Sequence, residues 1–406
     1  MFGVIEKAKK VMASYYLCDN CLGRLFALLL TGMSNRERGA AIRKVIAMEY
    51  EAKRFKIKRE NFYGIKFRKK RTSVKKPQCY VCKNIFDSID KYVEDALSIL
   101  KPYQFSTFLV GIKMCDEIVM REEQVLRTCG KSYAEDIKSE LSREIGKRIE
   151  LRTSKAYDKD MPDITIIFDL EHNKIELDVR SIFIYGEYSK LVRGIPQTKW
   201  DRYEESVEDI IAKPFIKALK GKGHVFHAAG REDIDARCLA YRPFVLEIKG
   251  PKKREVDIES MAKEINKSGK VLVRNLKLTE RSKVRAVKKM AMDKIYRVVV
   301  SFRDRVKNIA SVKGILGTVE QRTPRRVLHR RKDIKRYKKI KSIKWKKVND
   351  KKYIFEICAE SGTYIKELVN GDNGRTKPSI AYLLNNPAKV ESLDVIGFGE
   401  KDGKKE

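Results

Sequence analysis

Apolar residues at Val4, Ala8, Val11, Met12 and Tyr15 repeat every three or four positions, and this spacing predicts an amphipathic helix over 3–16 that leads into Cys18. A second helix is expected from Ser34 or Asn35 onward, where a capping residue precedes a charged but apolar-periodic stretch. The segment KFRKKRTSVKKP at 66–77 is too charged to be core. Helical periodicity returns over 85–100. Residues 103–114 are rich in β-branched and aromatic side chains and read as a strand. Helices at 116–127 and 132–149 follow, then strands at 162–170 and 174–186, with Glu171–Asn173 as the turn between them. This half reads as a compact α/β module.

Beyond it the pattern changes. A short helix is expected at 211–220, and GKGHVFHAAG runs into a strand that ends at Gly230. Further strands are predicted at 242–250, 270–278, 294–302 and 351–360, with a helix near 379–386. Because these strands are not regularly interleaved with helices, an antiparallel or mixed sheet is favoured over a doubly wound one, and the fold class is α+β. The length of 406 residues suits two or three domains. No internal repeat is evident.

Charge narrows the function. The chain has 90 Lys and Arg against 55 Asp and Glu, a net +35 spread along its whole length, and a polyanionic partner follows from that excess. A thermophile surface raises both signs and accounts poorly for the imbalance. The longest apolar run, Leu25–Leu30, is far too short to cross a bilayer, and no basic amphipathic helix with a large aromatic face or lipidation signal points to a membrane surface. Nucleic acid is therefore preferred over membrane. The start of the chain lacks the layout of a secretory signal, so a cytoplasmic location is expected.

The eight cysteines divide by spacing. Cys18 and Cys21 form one C-x-x-C, Cys79 and Cys82 a second, and Cys115, Cys129, Cys238 and Cys358 stand alone. Two such pairs make one tetrahedral four-thiolate site suited to a structural zinc, closed to the water that a hydrolytic zinc would need. The alternative is core thiols, since the interval between the pairs is long for a zinc ribbon.

Three further segments carry candidate chemistry. GREDIDAR places Arg231, Glu232 and Asp233 on a tight turn; EICAESGTYIKEL breaks a strand at Ser361-Gly362 and leads into Tyr364 and Lys366. A surface turn and ordinary packing are the bland alternatives. Tyr296, in IYRVVV, is either core or ligand-facing. Residues 325–347 hold 13 Lys or Arg and one acid, interleaved with Tyr337 and Trp345, a composition suited to RNA phosphates and bases.

Taken in order, GREDIDAR, IYRVVV, QRTPRRVLHRR and GTYIKELVNGDNGRT resemble the archaeal and eukaryotic tRNA pseudouridine synthases that modify T-loop uridines, and the resemblance extends over almost the whole chain. CDNCLGRLFA, the second C-x-x-C and IYGEYSKLVRGIPQTKW look like that family's zinc-containing, THUMP-bearing accessory region. The resemblance implies a zinc-binding region at 1–90, a THUMP-like tRNA-binding module at 91–205 and a catalytic domain at 206–406. It implies tRNA as the substrate, held by its T-arm, with uridine 54, 55 or both modified, by a monomer that needs no organic cofactor. It places the nucleophile at Asp233, a stacking ring or base at Tyr296 and a charge partner of Asp233 at Lys366. Arg231, whose counterpart helps displace the base, and Tyr364, Arg322, Arg325, Lys338 and Lys339 are then substrate contacts. Ala240-Tyr241 stands where a glycine-rich turn is expected.

The carboxylate can attack either C6 of the base or C1′ of the ribose, and the sequence leaves both routes open. A tRNA-binding module or chaperone without catalysis is the competing class. A THUMP-bearing methyltransferase is weaker, because no strand leads into a glycine-rich loop for an adenosyl cofactor.

Overall fold

The structure, a computed structural model, describes residues 3–68, 75–329 and 331–399. Residues 69–74, half of the charged stretch expected between the cysteine pairs, together with Arg330 of the basic run, lie outside them. The chain divides into two compact units, 1–180 and 181–406.

In the first unit, helices α1 (Val4–Ser14), α2 (Asp19–Arg24), α3 (Asn35–Ala52) and α4 (Ile89–Leu100) precede strand β1 (Thr107–Lys113). Then follow α5 (Asp116–Cys129), α6 (Ile137–Thr153), the short β2 (Ala156–Tyr157), β3 (Ile164–Asp169) and β4 (Lys174–Val179). Helix α3 starts at a capping box in which Ser34 and Glu37 satisfy each other's backbone N–H. The sheet order is β2-β1-β3-β4, parallel except for the β3–β4 hairpin, whose turn is eased by Asn173 at φ +49°. One core runs through the unit, from Val11 and Met12 of α1 through the buried cysteines to Phe108 and Phe168 of the sheet.

The second unit is built on a ten-stranded mixed sheet. Its elements are β5 (Ile182–Lys190), α7 (Val207–Leu219), β6 (Gly223–Ala228), β7 (Arg237–Lys249), α8 (Ile258–Asn266), β8 (Val271–Thr279), α9 (Ser282–Lys289) and β9 (Asp293–Phe302). They continue with β10 (Gly317–Arg322), β11 (Lys335–Asn349), β12 (Lys352–Ala359), α10 (Ile365–Asn370), β13 (Thr376–Lys377), α11 (Ile380–Leu383) and β14 (Ala388–Gly399). The strand order is β13-β10-β11-β12-β9-β14-β7-β5-β8, with β6 paired to β7; the β14–β7 pair is parallel and the others are antiparallel. The α+β class with a mixed, mainly antiparallel second sheet is the architecture observed.

Two expectations need correction. The alternating stretch 174–186 is two strands: after β4 the chain turns at Arg180, which pairs with Asp163 at 2.8 Å, and β5 enters the other unit's sheet. The segment 184–200, likened above to the accessory region, accordingly begins in the second unit. The basic run, expected above to suit RNA phosphates and bases and assigned no element there, contains the long strand β11, whose Ile340 and Ile343 face the core while Lys335, Tyr337 and Lys339 point outward.

Candidate active site and metal centre

Cys18 precedes α2 and Cys21 lies within it; Cys79 and Cys82 flank a turn that Asn84 closes from a left-handed conformation, its Oδ1 accepting the Cys79 N–H at 2.9 Å. All four Sγ atoms lie within 4.8 Å of one another, and those of Cys18 and Cys82 are 3.5 Å apart. A tetrahedral zinc with ~2.3 Å bonds sets sulfur atoms ~3.8 Å apart, so the quartet fits a metal ion. Burial pushes the Cys21 thiol well up, so thiolates here need a cation to balance them. Donors to the sulfur atoms are in place, as in other metal centres: the Cys18 N–H points to Cys79 Sγ at 3.3 Å and Arg24 to Cys21 Sγ at 3.4 Å. Arg24, itself buried, is anchored by Glu122 at 3.0 Å and Glu140 at 3.2 Å.

The turn between β6 and β7 carries Arg231 to Asp235. It is fixed by buried side chains that engage its carbonyls. Arg242 donates to Ala229 O at 2.8 Å, Gln197 to Gly230 O at 2.9 Å, and the Lys190 ammonium to Asp233 O and Ile234 O at 3.2 Å each. Gly230, at φ +78°, makes the bend that an L side chain would resist. Glu232 points inward: it accepts from the Tyr188 hydroxyl at 3.0 Å and pairs with Arg242 at 3.1 Å, both side chains with no exposure.

Asp233 points the other way, with 38% of its side chain exposed. Its Oδ2 is 3.4 Å from Lys366 Nζ and 3.3 Å from Arg326 Nη2. Lys366 is closer to Asp235, at 2.7 and 2.8 Å. Burial alone would raise Asp235, but the bonds and charge of Lys366 hold its carboxyl below the usual range. Arg326 is braced by Glu367 at 2.8 Å. Tyr296, on β9, is 7% exposed and packs in the core cluster that holds Ala236 and Cys238. Burial, opposed by Arg242 and reinforced by the negative charge of Asp233, pushes its hydroxyl well above the ordinary tyrosine range.

Lys366 is thus brought to Asp233, and the Tyr296 hydroxyl lies within reach of the Asp233 charge. Tyr364 opens α10, held by Gln321, which both accepts its N–H and donates to its carbonyl; its hydroxyl accepts from Arg331 at 3.0 Å. Arg231 is exposed beside Asp233 and has no side-chain partner among the described residues. The other sequence candidates stand further out. Arg322 pairs with Asp333 at 3.1 Å, the Arg325 N–H bonds Asp372, and Lys338 reaches Ser361 O at 2.8 Å beside the 361–362 break. Lys339 is exposed on β11. Sequence reasoning missed Arg326 and the buried cradle of Tyr188, Lys190, Gln197 and Arg242. Arg326 stood among 13 basic residues with nothing to single it out; Tyr188 and Lys190, two apart on a strand, were the available signal for the cradle.

Lys294, on β9 two residues before Tyr296, is buried near Arg242, and a side chain at Gly230 would come within 3.4 Å of its Nζ. Burial, then the Arg242 charge, pull its amine down from 10.5 to about 8. Between those values the unfolded chain binds the extra proton, so stability should rise with pH from about 8 to about 10.5, by on the order of 3 kcal/mol. Below pH 8 the penalty is fully present. Denaturant unfolding of wild type and Lys294→Met across that window checks this: the difference between the two should shrink as pH rises, and a constant difference would contradict it.

The family model "Pus10, C-terminal" matches residues 183–398, and "Pus10 THUMP domain, archaeal" matches 92–169. The chain is 37% identical over 400 residues to "tRNA pseudouridine synthase Pus10" of Pyrococcus furiosus, covering 97% of both chains. It is 39% identical over 429 residues to the protein of the same name from Methanocaldococcus jannaschii, covering 95% of this chain and 93% of that one. Among solved structures, a chain of "Crystal Structure of a Cbf5-Nop10-Gar1 Complex" aligns with 52% of this chain and 49% of its own, at 15% identity and a TM-score of 0.32. The chain belongs to a class of RNA-modifying isomerases: it is a member of the Pus10 family of tRNA pseudouridine synthases.

Proposed function

We propose that this protein converts uridine 54, uridine 55 or both, in the T-arm of tRNA, to pseudouridine, with Asp233 as nucleophile. The observation that carries the reading is the Asp233 turn: its backbone is held from beneath by buried donors, while its carboxylate is presented between Lys366 and Arg326. Such preorganisation favours a charged group that must meet a substrate atom in one geometry. In the reaction the N1–C1′ bond breaks, a C5–C1′ bond forms, the C5 proton leaves and N1 gains one. No electrons or groups are transferred to a partner, so no organic cofactor is required.

The target base must leave its stack, at a cost of a few kcal/mol, before C5 can reach C1′. Arg231, exposed next to Asp233, is placed to fill the vacated position. The Tyr296 ring supports the flipped uracil, while Tyr364, Arg322, Arg325, Lys338 and Lys339 contact RNA. The cysteine quartet holds zinc in a structural role, since four protein ligands leave no position for substrate. The protein acts as a cytoplasmic monomer.

Because C5 loses its hydrogen in every turnover, tRNA carrying tritium at uridine C5 should release it to water when treated with the pure protein. Binding without release would favour the non-catalytic tRNA-binding reading.

A further inference from the structure

The second unit contains a cavity that none of this chemistry uses. It lies between the end of α10, the segment 373–387 that carries β13 and α11, and Arg303 after β9, with a volume of about 700 Å³. Pockets of that size admit a whole organic ligand, not only an ion. No acidic residue is among those lining it. Asn370, at its edge, stands four residues after Lys366 on α10, so the two share a helix face and the cavity begins one turn from the ammonium that meets Asp233.

Part of the lining is held by bonds of its own. Asn386, buried, accepts the Asp304 N–H at 3.1 Å and donates to Asp304 O at 2.8 Å; Asn370 accepts the Asp372 N–H at 2.9 Å, and Ser379 caps α11 by accepting the Tyr382 N–H at 3.2 Å. These bonds fix the walls. The remaining polar side chains Arg303, Asn373, Lys377, Tyr382 and Asn385 have no side-chain partner among the described residues, and Tyr382 is 77% exposed. A large ring left in water forgoes the burial that aromatic side chains usually find, and two cations beside a cavity without an acid lack a counter-charge. An occupant that offers a flat face and a negative charge supplies both.

We propose that this cavity binds one nucleotide, with its base stacked on the Tyr382 ring, its base edge bonded by the Asn373 and Asn385 amides and its phosphate held by Arg303 and Lys377. Each group has a chemical match: aromatic rings stack any base, an amide offers a donor and an acceptor together, and guanidinium and ammonium groups pair with phosphate. A bare inorganic anion would engage the cations alone and leave the ring and the amides unused. An apolar ligand would bury two charges and two amides without partners. The nucleotide is an unstacked residue of the RNA substrate other than the reacting uridine, and this choice of source rests on tRNA being the substrate; a free nucleotide shares the chemistry and is separated from it by the test.

The test uses the full chain as wild type, Tyr382→Leu, Tyr382→Phe and the double variant Arg303→Gln with Lys377→Gln, with thermal unfolding of each to show that the second unit is intact. Affinity for a labelled, unmodified tRNA is measured by anisotropy at several salt concentrations, and affinity for AMP, GMP, CMP and UMP by equilibrium dialysis. Loss of one base–ring stack weakens binding by roughly 5- to 100-fold, so Tyr382→Leu should bind tRNA at least ~5-fold more weakly. Tyr382→Phe keeps the ring and should stay within about twofold of wild type. The double variant should lower the slope of log affinity against log salt by about 0.7, the contribution of one single-strand phosphate. Unchanged tRNA affinity in every variant, together with a nucleoside monophosphate that wild type binds more tightly than about 1 mM and Tyr382→Leu does not, would assign the cavity to a free nucleotide. Equal affinities of wild type and Tyr382→Leu for tRNA and for all four nucleotides would overturn the proposal, and so would equal losses in Tyr382→Leu and Tyr382→Phe. If wild type itself fails to bind tRNA, the functional reading fails and the nucleotide measurements alone decide on the cavity.

Discussion

Asp233→Asn should bind tRNA with near-wild-type affinity and form pseudouridine at least ~10⁴-fold more slowly, a loss of the size seen when other enzymes lose their nucleophile. The substitution keeps the side chain's size and leaves the cradle untouched, because Lys190 holds the backbone carbonyl of residue 233 and not its side chain. What disappears is the negative charge between Lys366 and Arg326. Two neighbours serve as controls. Glu232→Gln removes a charge from a fully buried pair with Arg242 and should lower stability by ~3–5 kcal/mol. Asp235→Asn frees Lys366 from its closer partner and should reduce turnover far less than Asp233→Asn. Single-turnover rates and tRNA affinities for the three variants separate these effects. Equal turnover losses for Asp233→Asn and Asp235→Asn would assign the chemistry to the pair and not to Asp233.

Removing the metal should collapse the first unit. The four cysteines join α2 to the turn after residue 78, and their sulfur atoms lie inside the unit's core. A structural zinc of this type contributes on the order of 10 kcal/mol to folding, comparable to the whole stability of a domain. Cys79→Ala should therefore lose the bound metal and show rapid amide exchange through α1, α2 and α3. Cys115→Ala, outside the quartet, should keep one metal per chain. Metal analysis with hydrogen exchange reads both, and a Cys79→Ala protein that retains one tightly held zinc would contradict the ligand assignment.

How much of this was legible in the sequence depended on whether local pattern and tertiary role agreed. The C-x-x-C pairs and the 132–149 periodicity did agree, although α6 begins only at Ile137, where Asp136 caps it. Strand β11 was hidden because its outward face is almost all lysine and its alternation is broken by a bulge between Ile340 and Ser342. Period-2 spacing also ran without interruption through Arg180, so nothing local announced that β4 and β5 join different sheets. At the site, the opposite directions of Glu232 and Asp233 follow from the turn. Lys366 was legible as a cation near Asp233, but its closer bond to Asp235 and the approach of Arg326 depend on how α10 and residues 325–327 pack against the turn. The buried polar cradle was least legible, since Lys190 and Arg242 have surface-type side chains and only three-dimensional closure buries them.

In the mechanism proposed above, Asp233 carries out uridine isomerisation on tRNA. Nucleotide-resolution mapping of pseudouridine in one unmodified tRNA, incubated in parallel with the wild-type chain and with Asp233→Asn, tests it most directly. Pseudouridine should form at position 54, 55 or both with wild type and not above background with the variant, at protein concentrations where both bind the tRNA. Pseudouridine formed by Asp233→Asn at the wild-type rate, or none formed by wild type on tRNA that it binds, would contradict it.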